Sequence, residues 1–216
     1  MPEFEHLPYP SRYNSLRLLG YDYNSTRKLC AITLVSDSRK PVFADMLLAK
    51  ATLTALLSPE TLANMHLRAF TLMPDHLHLL AGVRNPDLHL PNLIGKFKSF
   101  TTQLYWKRSR EIAAAGEVRL PSENVSKSDI QRSRSLLSPL TEGRVTLRPE
   151  VVELRNWPAV RPELFLKKHL WQAKFFDHVI RNDEDLRENL EYIAMNSVKA
   201  GYVARSYFYP YTGFLD

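Results

Sequence analysis

Met73-Pro74-Asp75-His76-Leu77-His78-Leu79-Leu80 sits where two apolar segments meet, one running about His66–Met73 and the other His76–Val83. Each has the length and β-rich composition of a strand, and a join as short as Pro74-Asp75 makes them an antiparallel pair. Side chains alternate along a strand, so His76 and His78 point the same way, while Leu77, Leu79 and Leu80 anchor the opposite face in the core.

Upstream of this pair, Leu29–Val35 carries Ile32, Thr33, Leu34 and Val35 and reads as a strand. Asp45 can cap a helix to about Leu57, with Met46, Leu47, Ala51, Leu53 and Leu56 at rough helical spacing. Ser58-Pro59 closes that helix or begins another short turn of helix. Downstream, a second helix spans about Leu93–Trp106. Leu170–Arg181, with Trp171, Phe175, Phe176, Val179 and Ile180, reads as a strand or turn-strand. Asp183 then opens a helix to about Asn196, with acids in its first turn as the helix dipole favours. The order β-α-β-β-α-β-α describes an α+β fold: a ferredoxin-like split β-α-β antiparallel sheet with an added C-terminal helix. One domain over 1–216 accounts for the chain, with a turn-rich arm at 1–28. Between the second helix and the third part of the sheet, 107–162 has Ser, Pro and charges without sustained periodicity, and reads as an insertion or mobile segment.

The 216 residues carry 29 Lys+Arg against 23 Asp+Glu, a net charge of +6, and 44% hydrophobic residues. That is enough apolar sequence for a real core, and the positive balance admits polyanions as partners. Cys30 is the single cysteine, which excludes an intrachain disulfide and a thiolate metal cage and suits a reducing compartment. Apolar runs such as Leu77–Val83 stop well short of the ~20 residues that span a bilayer. The opening Met1-Pro2-Glu3-Phe4-Glu5 shows no signal peptide, so no membrane association and a cytoplasmic location are expected. From Arg84 to Arg110 six basic residues (Arg84, Lys96, Lys98, Lys107, Arg108, Arg110) stand against one acid, Asp87.

Two neutral imidazoles side by side are half of a divalent-cation site. A chance His-x-His pair on a half-exposed strand would look the same. Three familiar uses of such a pair fail on this sequence. A histidine triad needs a third alternating His where Leu80 stands, a barrel metallohydrolase needs a longer chain, and a two-histidine phosphodiesterase needs a second motif copy. On the C-terminal helix, Leu186, Leu190 and Ile193 form the stripe to be buried. Tyr192 and Asn196 share one flank of it, and Lys199 continues that flank if the helix persists. A tyrosine, an amide and a cation so placed could meet a phosphate; a boundary tyrosine with a wet hydroxyl would occupy the same place.

The octapeptide resembles the HUH motif, histidine-hydrophobe-histidine, of the single-tyrosine transposases. Leu170-Trp171-Gln172, Phe176-Asp177-His178-Val179-Ile180-Arg181-Asn182 and Tyr192-Ile193-Ala194-Met195-Asn196-Ser197-Val198-Lys199-Ala200-Gly201 resemble the tail of the REP-associated tyrosine transposase (IS200-like) group. Arg17-Leu18-Leu19-Gly20-Tyr21-Asp22-Tyr23 and Arg39 resemble its opening. The similarity covers roughly 17–106 and 169–211. It implies that His76 and His78 bind a metal, that Tyr192 is the nucleophile, and that Asn196 completes the metal site. Ser197 stands where the family usually has Pro, which leaves the end of that helix open. The resemblance further implies Mg²⁺ or Mn²⁺ as cofactor, and single-stranded or hairpin DNA as partner, cleaved and rejoined through a 5′-phosphotyrosine. Lys96, Lys98, Lys107, Arg108, Arg181 and Lys199 are the phosphate contacts to expect, with Phe97, Phe100, Tyr105 and Trp106 interleaved among the first four. Monomer and homodimer both remain open. So do two other functions: a domesticated hairpin-binding module, and a metal nuclease that uses water.

Overall fold

Strand β1 (Cys30–Val35) turns its even-numbered residues one way and its odd-numbered ones the other, and this alternation sets up the whole molecule. The structure, a computed structural model, describes residues 22–114, 154–206 and 209–215. After β1 come α1 (Met46–Leu56), α2 (Pro59–Asn64), β2 (Met65–Leu72), β3 (His76–Val83) and α3 (Leu90–Ala114). Strand β4 (Phe176–Val179), helix α4 (Asp183–Lys199) and β5 (Thr212–Phe214) complete the described chain. The strands form one antiparallel sheet in the order β4-β1-β3-β2-β5. Its first four strands have the order expected of a split β-α-β fold, and β5 is an addition that Thr212-Gly213-Phe214 does not advertise.

The two sheet faces do different work. Ile32, Leu34, Phe70, Leu72, Leu77 and Leu79 face α1 and α3, where Phe43, Leu48, Leu53, Leu56, Ile94, Phe97 and Tyr105 close the main core. Ala69 and Leu80 face the other way and pack with Ile193 of α4. Leu80 therefore shares the face of His78 rather than opposing it, as strict alternation requires. A β-bulge between Leu67 and Ala69 lets Met65, Leu67, Phe70 and Leu72 all enter the main core despite the broken spacing. Gly82 lies where the backbone of Lys28 passes so close that a Cβ would stand 2.4 Å from its carbonyl oxygen.

Asp45 does cap α1, accepting from Leu48 N at 2.8 Å. The buried stripe is Leu48, Ala49, Thr52, Leu53, Ala55 and Leu56, so Met46 and Leu47 stay about half exposed rather than packing. Ser58 caps the separate short α2. Helix α3 starts earlier and ends later than its apolar spacing suggests, and Lys107–Ala114 continue it. The reason is Arg108. It occupies a core-facing position between Tyr105 and Ile112, and its Nε and Nη2 reach the Asp45 carboxylate at 2.9–3.1 Å. A cation in the stripe conceals the helix period. Of the segment between α3 and β4, residues 115–153 lie outside the described residues. The stretch from Leu170 to Arg181, read as a strand or turn-strand, has its strand at β4. Trp171 makes an isolated bridge to Ser36 and drives its ring into the core against Phe43 and Phe97.

Asp45→Ala removes a helix cap and leaves Arg108, whose side chain is 24% exposed, without its main partner. A loss of about 2–3 kcal/mol in urea unfolding is expected, cap and broken ion pair together. A loss under about 0.5 kcal/mol, the scale of a neutral surface change, would show that the pair contributes little. No helix among the described residues is long and apolar enough to cross a membrane.

Candidate functional site

His78 is only 5% exposed, a polar side chain on a buried strand position. It pairs in register with Thr33 of β1, and the Thr33 hydroxyl lies 2.8 Å from Nδ1. That hydroxyl can accept from Nδ1–H, which leaves Nε2 with its lone pair. Nε2 is buried and makes no hydrogen bond, an arrangement that costs about 1–3 kcal/mol unless something uses the atom. Burial first, and the neighbouring His76 second, push the imidazole down to about 3, so it is neutral at any physiological pH.

His76 begins the same strand and faces the same side, its ring 4.6 Å from that of His78 at 78°. Its Nδ1 lies 2.6 Å from Asp75 Oδ1. A carboxylate only accepts, so Nδ1 donates and Nε2 is the ring nitrogen left to face away from Asp75. Arg39 approaches the other Asp75 oxygen at 3.7 Å. Burial raises the Asp75 carboxyl, but the hydrogen bond and charge of His76, with Arg39, hold it below its ordinary value.

Helix α4 carries the tyrosine over this pair. Asn182 caps it, accepting from Asp185 N at 2.9 Å, and Asp183, Glu184 and Asp185 fill the first turn. Asp185 also accepts from His178 Nε2 at 2.9 Å, which ties the start of α4 to β4. The expected stripe of Leu186, Leu190 and Ile193 is the one that meets Ala69 and Leu80. Ser197 in place of Pro lets the helix run on to Lys199. It ends where Gly201 takes φ +74° and the N–H groups of Gly201 and Tyr202 return to Val198 and Ser197. Tyr192 thereby lies edge-on to His78, ring centroids 5.1 Å apart at 78°. Lys199, two turns on, reaches back to place Nζ 5.6 Å from the centre of the Tyr192 ring.

His76, His78, Tyr192 and Lys199 are therefore brought together on one face of the sheet. Asn196 lies on α4 one turn beyond Tyr192 and is half-buried. Arg181 is exposed just before the helix, about 15 Å along its axis from Tyr192. Lys96, Lys98, Lys107 and Arg108 stand on α3, across the sheet from the histidines. Lys96 and Lys107 are exposed, whereas Arg108 is engaged by Asp45. Lys98 donates to the carbonyls of Gln172 and Ala173 at 2.7 and 2.9 Å, and burial lowers its pKa. Phe97 and Tyr105 belong to the core, while Phe100 and Trp106 are exposed. Motif reading quotes Asp75 and Arg39 without giving either a role, and it does not supply Thr33. Asp75 adjoins His76 in sequence, but Thr33 emerges only from strand register.

Among the described residues no group of three or more His, Cys, Asp or Glu side chains converges as a metal cluster. What the face offers a cation is the neutral imidazole of His78, its Nε2 buried and orphaned, beside the ring of His76, whose Nδ1 is turned to Asp75. This fits an open site whose remaining ligands come from an amide, water or substrate oxygen.

Residues 27–118 match the family described as Transposase IS200 like. A REP-associated tyrosine transposase of Escherichia coli K12 is 40% identical over 47 residues, 22% of this chain and 28% of that protein. A Haemophilus influenzae protein assigned to the same group is 47% identical over 45 residues, 21% of this chain and 26% of that protein. These matches thus span about a quarter of the relatives' length. A solved REP-associated tyrosine transposase bound to a REP hairpin superposes with TM-score 0.50 and 16% identity, covering 94% of this chain and 81% of that one. That likeness supports the fold.

Proposed function

We propose that this chain, whose residues 27–118 match the IS200-like transposase family, cleaves and rejoins single-stranded DNA at hairpin-forming repeats, with Tyr192 as the nucleophile. The observation that carries this reading is the edge-on row of His76, His78 and Tyr192 rings on one sheet face. The REP-associated names of its relatives, and the REP hairpin held by its structural neighbour, supply the class of DNA.

Tyr192 Oη attacks a backbone phosphorus and forms the P–Oη bond. The P–O3′ bond breaks, and the leaving oxygen takes a proton to become a free 3′-hydroxyl. The 5′ end stays on the tyrosine as a phosphodiester, so bond energy is kept and the 3′-hydroxyl of another end can reverse the step. A phenol with an ordinary pKa of about 10 is mostly protonated at neutral pH and needs help. Lys199 supplies a positive charge beside the ring and the incoming phosphate. His76 and His78, with Asn196, would hold Mg²⁺ or Mn²⁺ through their free donor atoms. That ion would polarise the scissile phosphate.

Asp75 fixes the tautomer and ring orientation of His76. Asp75→Asn is expected to weaken Mn²⁺ binding by about 10–100-fold, read from the free-ion signal in electron paramagnetic resonance. Wild-type affinity in that variant would reduce Asp75 to a turn residue.

The whole reading is tested by mixing the protein with labelled hairpin DNA from its own gene's flanks and Mg²⁺ or Mn²⁺, on a denaturing gel. A protein–DNA band of retarded mobility is the expected result. Binding with no such band would favour a domesticated hairpin-binding module, and cleaved DNA without the band a nuclease that uses water.

A further inference from the structure

A groove of about 520 Å³ runs along the outer side of α3, on the sheet face away from Tyr192. We propose that it is a track for a single-stranded segment of DNA, leading round the end of the sheet toward His76, with Trp106 as its stacking platform. The inference rests on the DNA-processing reading above and adds a second surface to it.

The groove is built rather than incidental. Lys98 bolts its far wall to the helix through the carbonyls of Gln172 and Ala173. Trp106 donates its indole N–H to Lys168 O at 2.9 Å, so the ring is fixed in place while 44% of the residue stays exposed. A large aromatic held open in this way, without being covered, suits a ligand with a flat π-face. At Gly95 nothing lies within 4 Å of where a Cβ would be, so the floor is open there too. Lys168 and His169 line the same groove, and among the described residues no Asp or Glu does. Cations and an aromatic face without acids are the elements that hold unpaired nucleotides, phosphates to the lysines and a base to the ring. A duplex buries its base faces internally and offers Trp106 nothing to stack on.

The position supplies the route. Gln172 N donates to Val35 O at 2.9 Å, and Val35 is the register partner of His76. The groove therefore reaches the sheet one strand away from the histidine pair, about 10 Å by strand spacing. An unpaired strand leaving the groove at Gln172 passes directly to that side of the sheet.

The test compares two fluorescent oligonucleotides by anisotropy with the full chain. One is a blunt hairpin from the inverted repeats beside its gene, and the other is the same hairpin with a short unpaired flank. Trp106→Ala and Gly95→Leu are each expected to weaken binding of the flanked hairpin by about tenfold and to leave the blunt one unchanged. Trp106→Phe should keep most of the affinity. Gly95→Leu guards against a folding artefact, because its site is empty of neighbours. Equal losses on both oligonucleotides would overturn the proposal by placing duplex in the groove, and unchanged affinity in both variants would overturn it outright. Wild-type protein that binds neither oligonucleotide would overturn the DNA-processing reading as well, which separates the two failures.

Discussion

Tyr192→Phe is expected to reduce covalent capture of DNA to background while leaving hairpin affinity and stability unchanged. The substitution removes one oxygen. Phe retains the ring that meets His78 edge-on and the ring that Lys199 overlies, so neither the packing of α4 nor the charge around it changes. The tyrosine is half-buried above a sheet face whose main apolar contacts are made by Leu186, Leu190 and Ile193, and all three remain in the variant. A retarded band of wild-type intensity in the variant would remove Tyr192 from the chemistry.

Replacing a histidine of the pair should be nearly as severe. His76→Ala or His78→Ala removes one of two imidazole donors, and a loss of about 3 kcal/mol or more of transition-state stabilisation is expected. That corresponds to at least about a hundredfold slower metal-stimulated cleavage. The stability readout separates this from misfolding. His78 holds a buried Nε2 with no hydrogen bond, a cost carried by the folded state. His78→Leu removes that atom and keeps the volume, so its urea midpoint should match or exceed wild type while cleavage disappears. Wild-type cleavage in both His76→Ala and His78→Ala would make the pair structural.

Most of the frame was legible because local signals and tertiary structure agree. Asp45 caps α1, Pro74-Asp75 joins the paired strands β2 and β3, and the Leu186, Leu190 and Ile193 stripe meets the sheet. Three features escaped for separate reasons. Arg108 stands in the buried stripe of α3, where a cation reads as an interruption until its partner Asp45 is known, and the sequence is silent about a partner 63 residues away. The bulge beyond Leu67 shifts the alternation of β2 without any glycine to mark it. Strand β5 is three residues with a glycine at its centre, and only the approach of the Phe70 ring, 2.5 Å from where a Cβ would be, shows why that glycine belongs. At the candidate site the motif residues could be read along the chain. Their support Thr33 could not, because strand register brings it near, and Arg39 could be quoted but its approach to Asp75 could not.

That short fifth strand has a consequence for solubility. Strand β2 has eight residues, largely apolar, and one of its sides is the outer margin of the four-stranded sheet. Uncovered, such a margin offers a row of free N–H and C=O groups on which another chain can pair. Thr212–Phe214 pair with Ala69–Thr71, Leu215 N donates to Arg68 O, and Leu72 N donates to Tyr211 O. The opposite margin is guarded by brevity, since β4 has four residues and carries Asp177 and His178. A chain cut after Pro210 would keep the histidines, Tyr192 and the main core apart from Tyr211, yet it would expose a ready template for intermolecular β-pairing and come out of solution as aggregate.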